Sequence, residues 1–386
     1  MIRATLRRLL YCMTALLGST AAYGADGAAT ILTDANSLPG HESALRAVSF
    51  SQNGKWLASV DASGLLILWE TEHWSTVGTI VKSGNGRSVT FIDNERVAAT
   101  WGASSDEKPA VVVWDRRTFR PVAKLPIALI GEAQRVRGHS SARYLLSAVQ
   151  YPNGGWVIET DPHERQIGTL DLWSSSNLNR FSTSRADAPV KSDLSLFEKH
   201  REISEYAHGV SDLDISAAAI TLVAGGTSGL VDGSMAGFNV PEGRLLWRRI
   251  LPRQPIESIC LCDADRSVAT SGRPRFGIQL EEATYRKIWI WDAATGEPKA
   301  DWFAHEGRVA CLASCESQKA IASGGEDGRV KLWRVPSWQL MAEMDTGLKE
   351  VSCIAFSPDG LFVVAGGPGG RLLVMRVAAQ KPSHAK

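Results

Sequence analysis

His305, Ser323 and Asp327 are the side-chain types of acyl-transfer chemistry, in which an imidazole takes the proton of a serine hydroxyl and a carboxylate orients the imidazole. A serine used in this way commonly stands on a Gly-x-Ser-x-Gly elbow, and the sequence has no such elbow. The glycine-rich run Gly366-Gly-Pro-Gly-Gly370 lacks the lysine of a phosphate-cradling loop and opens a strand, not a helix. His-Glu-x-x-His and Cys-x-x-Cys-His are also absent. Cys260 with Cys262, and Cys311 with Cys315, have the spacing of metal-ligand pairs. Yet Cys260, Cys311 and Cys353 fall within short apolar strands, where a free thiol behaves as a small buried hydrophobe. No catalytic residue, metal site or cofactor is therefore expected.

The elements that would position these residues are strands. Seven short segments each end in a large apolar anchor, at Trp69, Trp114, Trp173, Phe238, Trp291, Trp333 and Met375. Gly64, Gly168, Gly233, Gly328 and Gly370 stand five positions before five of these anchors, where a tight hairpin turn needs positive φ. Upstream lie matching strands that end in small residues, such as Ile321-Ala-Ser-Gly-Gly325. Further upstream comes a third kind, seen fully in Val351-Ser-Cys-Ile-Ala-Phe-Ser-Pro-Asp-Gly360. Successive anchors are 42 to 65 residues apart, and the shorter spacings suit a four-stranded propeller blade. No helical pattern alternates with the strands, which disfavours a parallel α/β sheet.

The segment from Ser323 to Trp333 resembles the WD-repeat family, and His305, Ser323, Asp327 and Trp333 match all four positions of that family's hydrogen-bonded network. The first unit keeps His41, Ser59 and Trp69 but has Ser63 at the turn position of the aspartate, so only the sixth network is expected to be complete. The resemblance implies a structural role for the Ser-His-Asp trio. It implies an all-β fold: a seven-bladed β-propeller of four-stranded antiparallel blades over residues 25–380, with a disordered tail at 381–386. The last unit lacks a fourth strand, and Ala29-Thr-Ile-Leu-Thr33 is expected to supply it by pairing with Arg371 to Val377, closing the ring.

The resemblance further implies a non-catalytic scaffold that binds one or more proteins or peptides. Extra residues gather at 102–109, 151–165 and 272–286, and in a linker from Arg185 to Tyr206 that reads as solvated. Trp101, Tyr151, Trp156, His163, Phe276 and Tyr285, in or beside these insertions, are the candidate partner contacts. Two rival readings stand beside this one: a propeller enzyme with a metal or quinone in its axial channel, and an envelope-assembly factor docking on membrane protein complexes. The first is suggested by Asn239-Val-Pro-Glu-Gly-Arg-Leu-Leu-Trp247, which resembles a blade motif of quinoprotein propellers.

Met1 to Gly24 has the three parts of a secretory signal peptide: Arg3, Arg7 and Arg8, an apolar stretch from Leu9, and small residues before Gly24. The apolar stretch is shorter than the roughly 20 residues needed to span a bilayer. The mature chain is expected to be periplasmic or secreted, monomeric and not membrane-inserted. With 42 basic and 41 acidic residues overall, no strong field steers it to nucleic acid.

Overall fold

The computed structural model describes residues 19–21, 30–81, 84–101, 110–126, 132–138, 144–150, 168–174, 198–203, 209–216, 221–228, 232–240, 244–272 and 284–379. Two strands open the described chain, β1 (Ser19–Ala21) and β2 (Thr30–Leu38). Hairpin-connected strands follow in groups of four. The Trp69 sheet holds β3 (Leu45–Phe50), β4 (Trp56–Asp61), β5 (Leu65–Glu70) and β6 (Ser75–Val81). The Trp114 sheet holds β7 (Gly86–Phe91), β8 (Arg96–Trp101), β9 (Ala110–Asp115) and β10 (Pro121–Pro126). Around Trp173 stand β11 (Glu132–Gly138), β12 (Tyr144–Gln150), β13 (Gly168–Ser174) and β14 (Glu198–Ile203). Around Phe238 stand β15 (Gly209–Ile215), β16 (Thr221–Ser228), β17 (Asp232–Asn239) and β18 (Arg244–Leu251). Trp291 anchors β19 (Ile256–Cys262), β20 (Ser267–Gly272), β21 (Lys287–Asp292) and β22 (Pro298–Phe303). Trp333 anchors β23 (Val309–Cys315), β24 (Ala320–Gly325), β25 (Arg329–Arg334) and β26 (Leu340–Asp345). The chain ends with β27 (Cys353–Phe356), β28 (Phe362–Gly366) and β29 (Leu372–Ala379), to which β2 adds as the fourth strand.

Every pairing is antiparallel, and each anchor lies on the third strand of its group. The expectation of seven four-stranded blades needs correcting: six sheets have four strands, and the Trp333 sheet has five, because β1 pairs with the outer side of β26. A second correction concerns the Arg185 to Tyr206 linker, which contains β14. Its charged composition, Glu198-Lys-His-Arg-Glu-Ile203, is compatible with an outermost strand as well as with a loop.

The latch is longer than Ala29 to Thr33. Strand β2 runs against β29 from Thr30 opposite Ala379 to Leu38 opposite Leu372, with one register shift between Asp34 and Asn36. Leu32 and Leu38 are buried by this pairing.

The innermost strands neighbour one another in chain order, β3, β7, β11, β15, β19, β23 and β27, and β27 returns to β3. Neighbouring innermost strands share no ladder, so one edge of each needs hydrogen-bond partners from elsewhere. Side chains of the adjoining sheet supply several. Asp212 accepts from Ile259 N (2.8 Å) and Ser258 Oγ (3.0 Å), Asp214 from Leu261 N (2.8 Å), Ser258 Oγ from Leu312 N (3.2 Å) and Ser49 Oγ from Phe91 N (3.3 Å).

Apolar cores lie between neighbouring sheets. Leu66, Leu68 and Ile80 pack with Val89, Phe91 and Trp114, and Cys260, Ile288 and Ile290 pack with Leu312, Ile321 and Trp333. At the periphery, a turn after the anchor docks the Trp69, Trp114, Trp291 and Trp333 sheets each on the one before it. Glu70, Asp115 and Asp292, each next to its tryptophan, hold this turn by accepting backbone N–H groups; Asp115 Oδ1 takes those of Arg117 (3.0 Å) and Thr118 (2.8 Å). The turn closes on a left-handed residue: Trp74 (φ 57°), Phe119 (φ 55°), Gly296 (φ 69°) and Trp338 (φ 59°).

Large aromatics are costly in that conformation, by about 1–3 kcal/mol, and what holds them is the groove they fill. Trp74 sits edge-on to Phe50 and Phe362, and Trp338 stacks on Trp302 with centroids 5.9 Å apart. Phe119 covers Gly78, where a Cβ would come within 2.3 Å of the phenyl ring. Sizes reverse in one groove: Trp247 lies over Gly296, where a Cβ would come within 2.5 Å of the indole, and donates its N–H to Ala293 O at 2.9 Å. Trp247, the last residue of the motif, thereby packs between two sheets.

Candidate functional site

The Ser-His-Asp trio assembles with the geometry its residue types allow. His305 reaches in from the segment before β23, with Nε2 2.8 Å from Ser323 Oγ on β24 and Nδ1 2.9 Å from Asp327 Oδ1 in the β24–β25 turn. Trp333 on β25 donates its indole N–H to the same Ser323 Oγ at 2.9 Å. The serine is 0 % exposed and lies beneath packed strands. Its hydroxyl therefore has two ring partners and no approach for a substrate carbonyl. The trio holds together the pre-sheet loop, second strand, turn and third strand.

The first unit contains the same network in full, which corrects the expectation that it is broken at Ser63. His41 Nε2 meets Ser59 Oγ at 2.7 Å, Trp69 donates to that oxygen at 2.9 Å, and His41 Nδ1 meets Asp61 Oδ2 at 2.8 Å. The carboxylate comes from the end of β4, two residues after Ser59 instead of four. Ser63 donates to it through backbone N (2.9 Å) and Oγ (2.6 Å). In the Trp333 sheet the position equivalent to Asp61 is Gly325, where a Cβ would come within 2.5 Å of Asp327 Oδ1; either site can hold the carboxylate, but not both. The Trp291 sheet has only the inner half, Trp291 Nε1 donating to Thr270 Oγ1 at 2.9 Å.

Burial works against charge in these networks. Desolvation lowers the His41 pKa more than hydrogen bonding to Asp61 restores it. For Asp327, desolvation is outweighed by hydrogen bonds from His305 and from the N–H groups of Glu306 and Arg329, so the carboxyl falls to about 2. A folded value below the unfolded 3.8 means that the ionised form adds stability above pH 4, lost as pH falls toward 2. The depressed His41 acts in the same direction from about pH 6.5 downward, because the unfolded chain takes up a proton that the folded one refuses. We expect Asp327→Asn to cost about 2 kcal/mol at pH 7, and the gap from the unmodified protein to narrow between pH 5 and pH 3 in denaturant titrations. A gap that stays constant over that range would contradict the assignment.

Of the candidate partner contacts, Tyr151, Trp156, His163 and Phe276 lie outside the described residues. Tyr285 is half-buried in the turn before β21, and its carbonyl accepts from Val309 N at 3.0 Å. Trp101 is a correction. It is buried, packs edge-on to Trp114 with centroids 4.8 Å apart, and donates its indole N–H to Gly64 O at 3.1 Å. Its place at the end of β8, beside an inserted loop, gave it the sequence context of a surface residue.

An axial channel of about 440 Å³ is lined by the innermost strands, including Arg46, Ser49, Thr90, Cys260 and Cys353. No histidine is among its described lining residues, and its carboxylates Asp212 and Asp214 are the ones bonded to the next sheet. Cys260, Cys262, Cys311, Cys315 and Cys353 are all buried free thiols; burial pushes Cys262 and Cys311 up, toward the protonated form. One cluster was not anticipated from sequence: Arg308 bonds Glu257 (3.2 Å), Glu326 (2.9 Å) and Glu350 (2.7 Å), drawing three sheets together. Its signal is a charged residue next to the first apolar position of an innermost segment, as in Ile256-Glu, Arg308-Val and Glu350-Val.

Three stretches match the family model of the WD domain, G-beta repeat: residues 33–70, 296–334 and 341–374. The first two contain the complete networks of Trp69 and Trp333. Similar proteins include the meiotic recombination protein rec14 of Schizosaccharomyces pombe, 30% identical over 99 residues, which is 25% of this chain and 33% of that protein. The pre-rRNA-processing protein IPI3 of Mycosarcoma maydis is 27% identical over 77 residues (20% and 13%), and the periodic tryptophan protein 2 homolog of Dictyostelium discoideum 21% identical over 317 residues (82% and 29%). The chain spans less than half the length of each of these relatives. All three are eukaryotic, so the expected membership of an exported, bacterial-type branch gains nothing from them. Three stretches of the chain thus match the WD repeat model, and its sheets form an all-β propeller of antiparallel four-stranded blades.

Proposed function

We propose that this protein is a non-catalytic scaffold that binds a protein or peptide through the surface of a closed seven-bladed ring. The observation that carries the reading is the use of the serine, histidine and aspartate of both complete networks to hold strands together, with the hydroxyls 0 % exposed. WD40 propellers generally act by binding other proteins, and the inserted segments at 151–165 and 272–286 supply Tyr151, Trp156, His163, Phe276 and Tyr285 for that purpose. Aromatic anchors on a rigid ring lose little conformational entropy on binding.

The proposed compartment is exported, periplasmic or secreted, on the strength of the basic, apolar and small-residue order of Met1 to Gly24. Among the described residues no helix is long and apolar enough to cross a membrane. Docking on membrane protein complexes is one form this scaffold function would take.

Affinity capture from the envelope fraction tests the reading, with the unmodified protein beside the double variant Trp156→Ala, Tyr285→Ala. The unmodified protein is expected to retain a stoichiometric protein partner, and the variant to lose at least nine-tenths of it. Capture of the same proteins in equal amount by both would remove the inserted loops as the binding face.

A further inference from the structure

The outermost strand of a blade presents unpaired N–H and C=O groups, and proteins guard such edges with proline and basic residues. Strand β10 has Pro121, Lys124 and Pro126; β14 has Lys199 and Arg201; β18 has Arg244, Arg248 and Arg249; β22 has Pro298 and Lys299. Strand β26, Leu340-Met-Ala-Glu-Met-Asp345, has none of these. Strands β6 and β2, outermost in the Trp69 and Met375 sheets, also lack them; Gly78 of β6 lies under Phe119.

Of these three edges, that of β26 holds an extra strand. Ser19, Thr20 and Ala21 lie antiparallel to β26, opposite Met344, Glu343 and Ala342 respectively. In sequence the guest has small residues, Ser19 and Ala21, two positions apart; on the host strand Ala342 is buried and Met344 half-buried. The guest precedes Gly24 and the latch follows it. A cut after Gly24 would therefore take β1 away and leave β2 on β29.

We propose that the outer edge of β26 is a strand-accepting docking site, and that an extended segment of a partner protein, with small side chains at alternate positions, takes the place of Ser19–Ala21 there. The inference rests on the scaffold reading and gives it a binding mode. Main-chain hydrogen bonds supply the attachment.

Amide hydrogen exchange across Leu340–Asp345 tests this without any partner, so its outcome is independent of the capture experiment. Two proteins are compared with the full chain: one beginning at Ala25, and a full chain carrying Thr20→Pro, which leaves every other residue in place. Both are expected to exchange at least tenfold faster over this segment. A synthetic peptide of residues 16–24, added at millimolar concentration to the chain beginning at Ala25, is expected to restore the full-chain rate. The same peptide with Thr20→Pro is expected to have no effect. Equal exchange in all three proteins, or equal protection by both peptides, would overturn the proposal.

Discussion

Deleting residues 25–38 is expected to lower the melting temperature by about 10 °C or more. Strand β2 is the only element that closes the sheet of β27, β28 and β29 among the described residues, and its loss exposes the whole length of β29 from Leu372 to Ala379. The burial of Leu32 and Leu38 alone is worth about 2–3 kcal/mol each. Each kcal/mol shifts the midpoint of a mid-sized domain by about 2–4 °C. Leu32 also belongs to the core shared with Val330, Leu332 and Met341, so the deletion loosens two sheets at once. Differential scanning calorimetry at a fixed scan rate measures the shift, and an unchanged transition would mean that the ring does not depend on its latch.

Trp247→Ala is the second large effect, with an expected cost of about 3–5 kcal/mol. The indole is 8 % exposed, fills the space over Gly237 and Gly296, and satisfies the carbonyl of Ala293. Gly296→Ala probes the same groove from the other side. In the unmodified background the new Cβ meets the indole and the backbone stays at positive φ, so both penalties act. In the Trp247→Ala background the clash is gone and only the conformational term remains, about 1–2 kcal/mol. Denaturant titrations of the four proteins form a double-mutant cycle, and a coupling of at least about 1 kcal/mol is expected. Strict additivity would show that the two residues do not share a groove.

These two sites also show what a sequence displays and what it hides. The anchors were legible because each sheet repeats the same requirement, a large apolar group on its third strand, so that even Phe238 and Met375 reveal themselves by position. The latch was legible from a deficit, since the last unit lacked a strand and the N-terminal segment had one to give. Asp61 was not, because the aspartate site of the network has two positions in space that differ by two in sequence, and matching by spacing finds only one of them. The fifth strand was hidden for a different reason. Ser19–Ala21 lies in a segment that in sequence reads as a signal peptide, and pairing with β26 leaves no periodic mark in three small residues. Trp101 misled because an aromatic beside an inserted loop has the same neighbours in sequence whether its ring turns outward or, as here, into the core against Trp114.

The trio at Ser323 bears directly on whether this serine does acyl-transfer chemistry or holds the fold. Its distances are those of a charge-assisted proton relay, and its surroundings are those of a core. Ser59 stands in the same arrangement in the first unit, which fits a device repeated for the sake of the fold and not a single reactive centre. The most direct measurement is exposure of the native protein to a fluorophosphonate, followed by intact mass and peptide mapping. An accessible serine with an activated hydroxyl would displace fluoride and gain one phosphonyl group. Serines shut beneath Trp333 and Trp69 predict an unchanged mass, and a stoichiometric adduct on Ser323 or Ser59 of the folded protein would contradict the account.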